Sequence, residues 1–157
     1  MTDPDYKLLD SQLRALLADE TDALASASNF VALLYNAMHD INWLGIYVLR
    51  GDELVLGPFQ GKPACVHIDI GSGVCGTAAA TLQTQRVADV RQFEGHIACD
   101  VDSRSEVVVP LISNGQLIGV LDIDSPTPDH FTETDQVGIE KLCVTFCELQ
   151  DSRDSFI

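Results

Sequence analysis

Leu8, Leu9, Leu13, Leu16 and Leu17 recur at three- and four-residue steps, the spacing of one face of an α-helix. Asp19-Glu20-Thr21-Asp22 breaks that run and offers a new N-cap. A second helical pattern follows through Phe30, Leu33, Leu34, Ala37 and Met38, so helices are expected over about residues 6–38. From Asn42 the period changes. Residues 43–49 are apolar and rich in β-formers, Arg50-Gly51-Asp52-Glu53 makes a turn, and Leu54-Val55-Leu56 opens a second strand. Residues 65–70 are a third strand candidate with partial alternation. The Gly71-Ser72-Gly73 loop leads into an Ala-rich helix over 73–82, and 86–90 reads as a short strand. Residues 91–105 have no period, and a loop of this length inside a domain is often functional. Two β-rich runs, 106–112 and 116–124, flank Ser113-Asn114-Gly115, and Asn-Gly in that setting signals a hairpin. Pro110 cannot donate to a ladder, which puts its strand at an edge or a bulge. Thr132 caps a last helix that runs to about Gln150.

Helices, then antiparallel strands with a helix and loop inserted, then a helix: this order defines an α+β fold. It predicts a single antiparallel sheet over about 42–125, with the N-terminal helices (6–38) and the C-terminal helix (132–150) packed on one face. At 157 residues the chain is expected to be one domain spanning 1–157, long enough to bury a core without disulfide staples. No repeat or low-complexity tract interrupts it. Nine basic against 24 acidic residues give a net charge of −15. That balance argues against nucleic acid, whose binders carry a basic stripe, and against anionic membrane surfaces; the acidity itself serves solubility. The polar, acidic start Met1-Thr2-Asp3-Pro4-Asp5-Tyr6 does not resemble a secretory signal, and no apolar run approaches the ~20 residues of a membrane span. The expected compartment is the cytoplasm.

Five cysteines are present. Cys143 and Cys147, one turn apart on the last helix, read as buried small hydrophobes. Cys65, Cys75 and Cys99 differ. Cys75 falls near a helix N-terminus, where the dipole is expected to lower its pKa. Cys99 lies in the aperiodic loop and Cys65 near a strand start. In a reducing compartment such cysteines are redox-active, metal-bound or inert. Cys65-x-His67 and His96-x-x-Cys99 would complete a tetrahedral zinc set, but the usual C-x2-4-C half-motif is missing.

Period-2 alternation puts Ile118, Val120, Asp122 and Asp124 on one strand face. An acid on a core-like face is costly without a partner, so the strand either ends there, before Ser125-Pro126, or presents the acids to a site. Glu106 opens the neighbouring strand and could share that site. Clustered carboxylates repel, which raises at least one pKa and can leave a carboxyl able to donate a proton near neutrality. Trp43 and Tyr47 share a face with Gly45 between them, a core or platform whose gap could form a slot for a small apolar group.

These stretches resemble a known family. Gly57-Pro58-Phe59-Gln60-Gly61-Lys62, Cys65, Gly71-x-Gly73-Val74-Cys75-Gly76-Thr77-Ala78, Gln85-Arg86-Val87-Ala88-Asp89-Val90, Gly95-His96-Ile97-Ala98-Cys99-Asp100, Ser105-Glu106 and 119–125 together are similar to the free methionine-(R)-sulfoxide reductases, stand-alone GAF-domain enzymes. The similarity runs over about residues 30–150. It implies that Cys99 attacks the sulfoxide sulfur and that Cys75 or Cys65 resolves the resulting sulfenic acid. It further implies that Glu106, Asp122 and Asp124 hold the substrate and polarise its sulfoxide, and that Trp43 and Tyr47 line the pocket. The expected substrate is free methionine-(R)-sulfoxide and the expected reductant a thioredoxin-like dithiol. No cofactor or metal is expected, and a homodimer is. The rival readings are a GAF sensor that binds a cyclic nucleotide without turnover, and a structural zinc protein.

Overall fold

The computed structural model describes residues 2–97, 99–150 and 156–157, so Ala98 of the loop motif lies outside the described residues. Six strands form one sheet: β1 (Trp43–Arg50), β2 (Glu53–Gly61), β3 (His67–Asp69), β4 (Gln85–Val87), β5 (Ser105–Ser113) and β6 (Gln116–Ser125). Their order is β3-β2-β1-β6-β5-β4, with every neighbouring pair antiparallel. Helices α1 (Tyr6–Leu17), α2 (Ala23–Ala37) and α4 (Glu133–Gln150) share one core with one face of the sheet. That core holds Leu13, Phe30, Leu34, Leu44, Leu121, Ile139 and Phe146, and Phe30 stacks on Phe146 at 4.5 Å. Helix α3 (Gly73–Thr81) packs on the opposite face with Trp43, Tyr47, Leu54, Ile68, Val108 and Val120. The α+β architecture and the placement of the terminal helices on one face are as the sequence predicts. Among the described residues no helix is long and apolar enough to cross a membrane.

Local chemistry sets the element ends. Asp5 and Asp22 cap α1 and α2, accepting from the backbone N–H groups of Leu8 and Ala25. Asn114 and Gly115 both take positive φ in the β5–β6 turn, the backbone a two-residue hairpin requires. At the start of α4, Asp135 N–H donates to Thr132 Oγ1 at 3.1 Å, while Asp135 Oδ2 accepts from Thr132 N–H at 2.9 Å, a reciprocal capping box. The Cys143 and Cys147 side chains are buried in the helix-side core, as small hydrophobes would be.

Three elements differ from expectation. The third strand begins at His67, so Cys65 precedes it. The Cys65 carbonyl accepts from Tyr47 Oη at 2.8 Å instead of joining the ladder. The strand expected over 86–90 is Gln85–Val87, after which Asp89 caps a 3₁₀ turn at Val90–Gln92. Strand β5 is interior rather than an edge, yet β4 pairs only as far as Val108. Among the described residues no strand therefore pairs with β5 at Pro110 on that side, and the β5–β6 register shifts just beyond, between Leu111 and Ile112.

Asp135 serves two elements, because its Oδ1 also accepts from Tyr6 Oη of α1 at 2.8 Å. Asp135→Ala removes the carboxylate half of the capping box and the α1–α4 bond together, leaving the Thr132 Oγ1 cap in place. It is expected to cost about 1–2 kcal/mol, read as a lower urea midpoint at unchanged slope.

Candidate active site

The register of three strands assembles the site. Trp43 pairs with Asp124, Gly45 with Asp122 and Tyr47 with Val120, while Glu106 pairs with Asp124 and Val108 with Asp122. Alternate residues share a face, so Trp43, Tyr47, Asp122, Asp124 and Glu106 all face α3. They line a cavity of about 50 Å³, which the loops complete with Ala64, His96, Cys99, Asp100 and Ser103 and α3 with Cys75. All of the residues assigned to the site from sequence except Cys65 line this cavity, and Cys65 is covalently bonded to its wall: Cys65 and Cys99 form a disulfide across 34 residues, with Cα atoms 5.6 Å apart. Cys75 is outside that bond and buried.

The floor is acidic. Glu106 and Asp122 are each 6% exposed, and Cys75 Sγ lies 4.0 Å from Glu106 Oε1. Donor atoms of Cys75, Glu106 and Asp122 all fall within 4.8 Å of one another, an arrangement able to hold a cation. Asp122 Oδ1 is buried without a hydrogen-bond partner. Burial pushes the Glu106 carboxyl well above the usual range, and the nearby Asp122 and Asp124 charges push it further. Burial and the Asp122 and Asp100 charges do the same to Asp124. Asp122 is raised by burial, against bonds from Glu106 and Cys75 that lower it. A floor that cannot ionise fully attracts a cation and can supply a proton.

The expectation for Cys75 is overturned. The thiol sits in the first turn of α3, yet burial and the Asp122 and Glu106 charges raise its pKa well above the ordinary value. Desolvation and buried carboxylates outweigh a helix dipole worth about 1 kcal/mol. The gap expected above Gly45 is also filled. A Cβ built there would meet the Trp43 ring and Phe59 Cβ at 2.5 Å, because the indole lies over Gly45 and stacks on Phe59 at 5.4 Å and on Tyr47 at 5.8 Å. The zinc set is not assembled: the Cys65 and Cys99 sulfurs bond each other, and exposed His67 pairs with Glu53 at 3.2 Å. His96 lines the cavity, where burial lowers its pKa.

Sequence reasoning missed the residues that hold the Cys99 loop. Asn42 Nδ2 donates to Asp100 Oδ2 at 3.2 Å and Ser103 Oγ at 3.1 Å, and Asn42 N–H donates to the Asp124 carbonyl at 2.9 Å. Lys62 pairs with Asp102 at 2.7 Å, joining the two cysteine loops. The one signal for Asn42 was a polar residue placed directly before an apolar strand.

The antiparallel sheet with helices on both faces and a cavity between α3 and the strands is a GAF domain, and the GAF domain family matches residues 12–146. Free methionine-R-sulfoxide reductase of Escherichia coli (strain K12) is 55% identical over 137 residues, covering 87% of this chain and 83% of that protein. A structure of fRMsr of Staphylococcus aureus in complex with substrate superposes with TM-score 0.90 at 48% identity, covering 95% of this chain and 97% of that one. The free methionine-R-sulfoxide reductase of Neisseria meningitidis in complex with its substrate gives TM-score 0.88 at 44% identity, covering 92% and 87%. The chain belongs to the free methionine-R-sulfoxide reductase family of GAF-domain enzymes.

The buried carboxyls make stability depend on pH. Their folded pKa values lie above those of the unfolded chain (~4), so folding takes up protons. Stability is full below the unfolded value and falls as pH rises through the raised folded values. Glu106→Gln and Asp122→Asn remove this cost. Each is expected to stabilise the protein by about 1–3 kcal/mol at pH 7 and by nearly nothing at pH 4, read from denaturant melts at the two pH values.

Proposed function

We propose that this chain, acting as one domain over residues 1–157, reduces free L-methionine-(R)-sulfoxide to methionine through Cys99. The observation that carries the reading is the Cys65–Cys99 disulfide on the wall of a cavity floored by buried carboxyls. The substrate's α-ammonium sits against Asp122, whose Oδ1 has no partner within the protein. A peptide-bound methionine lacks that ammonium and would leave the acid unpaired, which favours the free amino acid. Trp43 and Tyr47 form the apolar wall against the side chain.

Glu106, kept neutral by burial, donates its proton to the sulfoxide oxygen. The Cys99 thiolate attacks the sulfur, and the S–O bond breaks as the oxygen passes to Cys99. Methionine leaves and Cys99 becomes a sulfenic acid. The Cys65 thiol condenses with it, releasing water and forming the observed pair. A thioredoxin-like dithiol then reduces the disulfide by exchange and is itself oxidised. Cys65 rather than Cys75 is the resolving thiol in this scheme, because Cys65 is the one bonded to Cys99 while burial holds the Cys75 thiol protonated. We also infer that the enzyme works in the cytoplasm as a homodimer. Exposed Leu8 and Leu16 of α1 and Val137 and Val144 of α4, on two helices that pack together, support the pairing.

The test is methionine release from the free (R) form, the free (S) form and an N-blocked (R) form, with a dithiol reductant. Release from the free (R) form alone is expected. No release from any substrate by folded, reduced protein rejects the reading and leaves a ligand-binding GAF module. Cys99→Ser should abolish release. Cys65→Ser should make one methionine per chain and accumulate a dimedone-reactive sulfenic acid, whereas Cys75→Ser should still turn over. In the wild type, kcat/KM should fall as pH rises through the raised Glu106 pKa, a limb above the ordinary carboxyl range that Glu106→Gln removes.

A further inference from the structure

Of the buried cysteines outside the disulfide, Cys75 alone lines the cavity, and the reaction gives it no part. Cys75 lines the cavity with Cys99, 5% exposed, with its sulfur 4.0 Å from Glu106 Oε1. The donor atoms of Cys75, Glu106 and Asp122 come from three different elements, α3, β5 and β6, and lie within 4.8 Å of one another. Asp122 Oδ1, on a residue 94% buried by its 6% exposure, lines the cavity and has no hydrogen-bond partner. Three acids at this separation repel one another as anions, so the fully ionised floor requires a cation. Among the described residues that line the cavity, His96 brings one imidazole and there is no lysine or arginine.

We propose that the cavity floor is also a site for a divalent cation of the zinc class, bound by the Cys75 thiolate, Glu106 and Asp122. One sulfur and two oxygens suit a borderline-soft ion better than magnesium or calcium, which take oxygen alone. Zinc bonds of about 2.0–2.3 Å put neighbouring ligand atoms about 3.5 Å apart. Side-chain rotations of roughly an ångström close the present spread to that value. The fourth tetrahedral position faces the cavity and takes water. As the ion binds, the thiol proton and any carboxyl proton pass to solvent. The ion occupies the place assigned above to the substrate ammonium, so it inhibits by exclusion. That competitive part rests on the proposed substrate reading; the metal site itself does not. Because Cys75 is outside the Cys65–Cys99 pair, the site exists while the disulfide is intact, unlike a site built from the redox thiols.

Cobalt(II) titration of the full chain with its disulfide intact tests this. One ion per chain is expected, with a sulfur-to-cobalt charge-transfer band in the near ultraviolet. The band should be lost in Cys75→Ser and the binding weakened by at least about tenfold in the isosteric Asp122→Asn. Zinc should displace the cobalt, as should free methionine-(R)-sulfoxide. Absence of binding by folded protein overturns the proposal. So does a band that persists in Cys75→Ser, which would place the ion elsewhere, or one that emerges only after the disulfide is reduced. Turnover measured in parallel separates the two readings. An inactive protein that binds cobalt in this way keeps the metal site and loses the reductase reading, and an active one that binds none loses the metal site alone. In an active protein, zinc should raise KM with kcat unchanged.

Discussion

Everything at the site depends on the antiparallel register that β6 keeps with β1 on one side and β5 on the other. A slip of one residue would turn every side chain to the opposite face. Asp122 and Asp124 would then enter the helix-side core and Leu121 and Ile123 would enter the cavity. The apolar residues between the acids prevent this, since Leu121 and Ile123 are fully buried against α1, α2 and α4. The hydrophobic core therefore sets the position of the acids without touching them. The tight Asn114-Gly115 turn fixes the same register from the other end of the hairpin.

The carboxylates are then held where they are least stable. A face shared with buried Val108 and Val120 denies Glu106 and Asp122 the solvent that would let them ionise freely. The helix side of the sheet compensates with a large apolar layer. One face thus supplies stability while the other carries chemistry, and Gly76 sharpens the division. A Cβ there would meet the Asp69 carbonyl at 2.5 Å, so the bare glycine is what lets α3 come down onto the end of β3 and bring Cys75 to the acids.

How much of this was legible depended on distance along the chain. The helices, the two hairpins and the shared face of Asp122 and Asp124 follow from spacing alone, because capping, turn chemistry and alternation act within a few residues. The Cys65–Cys99 pairing spans 34 residues, and local pattern left it open which cysteine would be joined. Cys75 misled for a related reason. Its helix position is a local fact, but its protonation is governed by carboxylates 31 and 47 positions away along the chain, as the numbering of Glu106 and Asp122 shows. Gly45 misled in the same manner, since the ring that fills its gap belongs to Trp43 but is pressed there by Phe59 of the next strand. Asn42 gave almost no local signal, and its part emerges only once the loop of Cys99 has folded back over the strand end.

The aromatic pair of β1 reaches past the cavity to the loop of Cys65. Tyr47 Oη donates to the carbonyl of Cys65 and Trp43 Nε1 to the carbonyl of Lys62, at 2.8 and 3.1 Å. Both grips are on main chain, and neither involves sulfur. The segment's footing on the sheet is thus indifferent to the oxidation state of the thiol it carries. When the sulfur gains or loses its covalent partner, the Cys65 end of the redox couple stays moored to β1 through these two carbonyls.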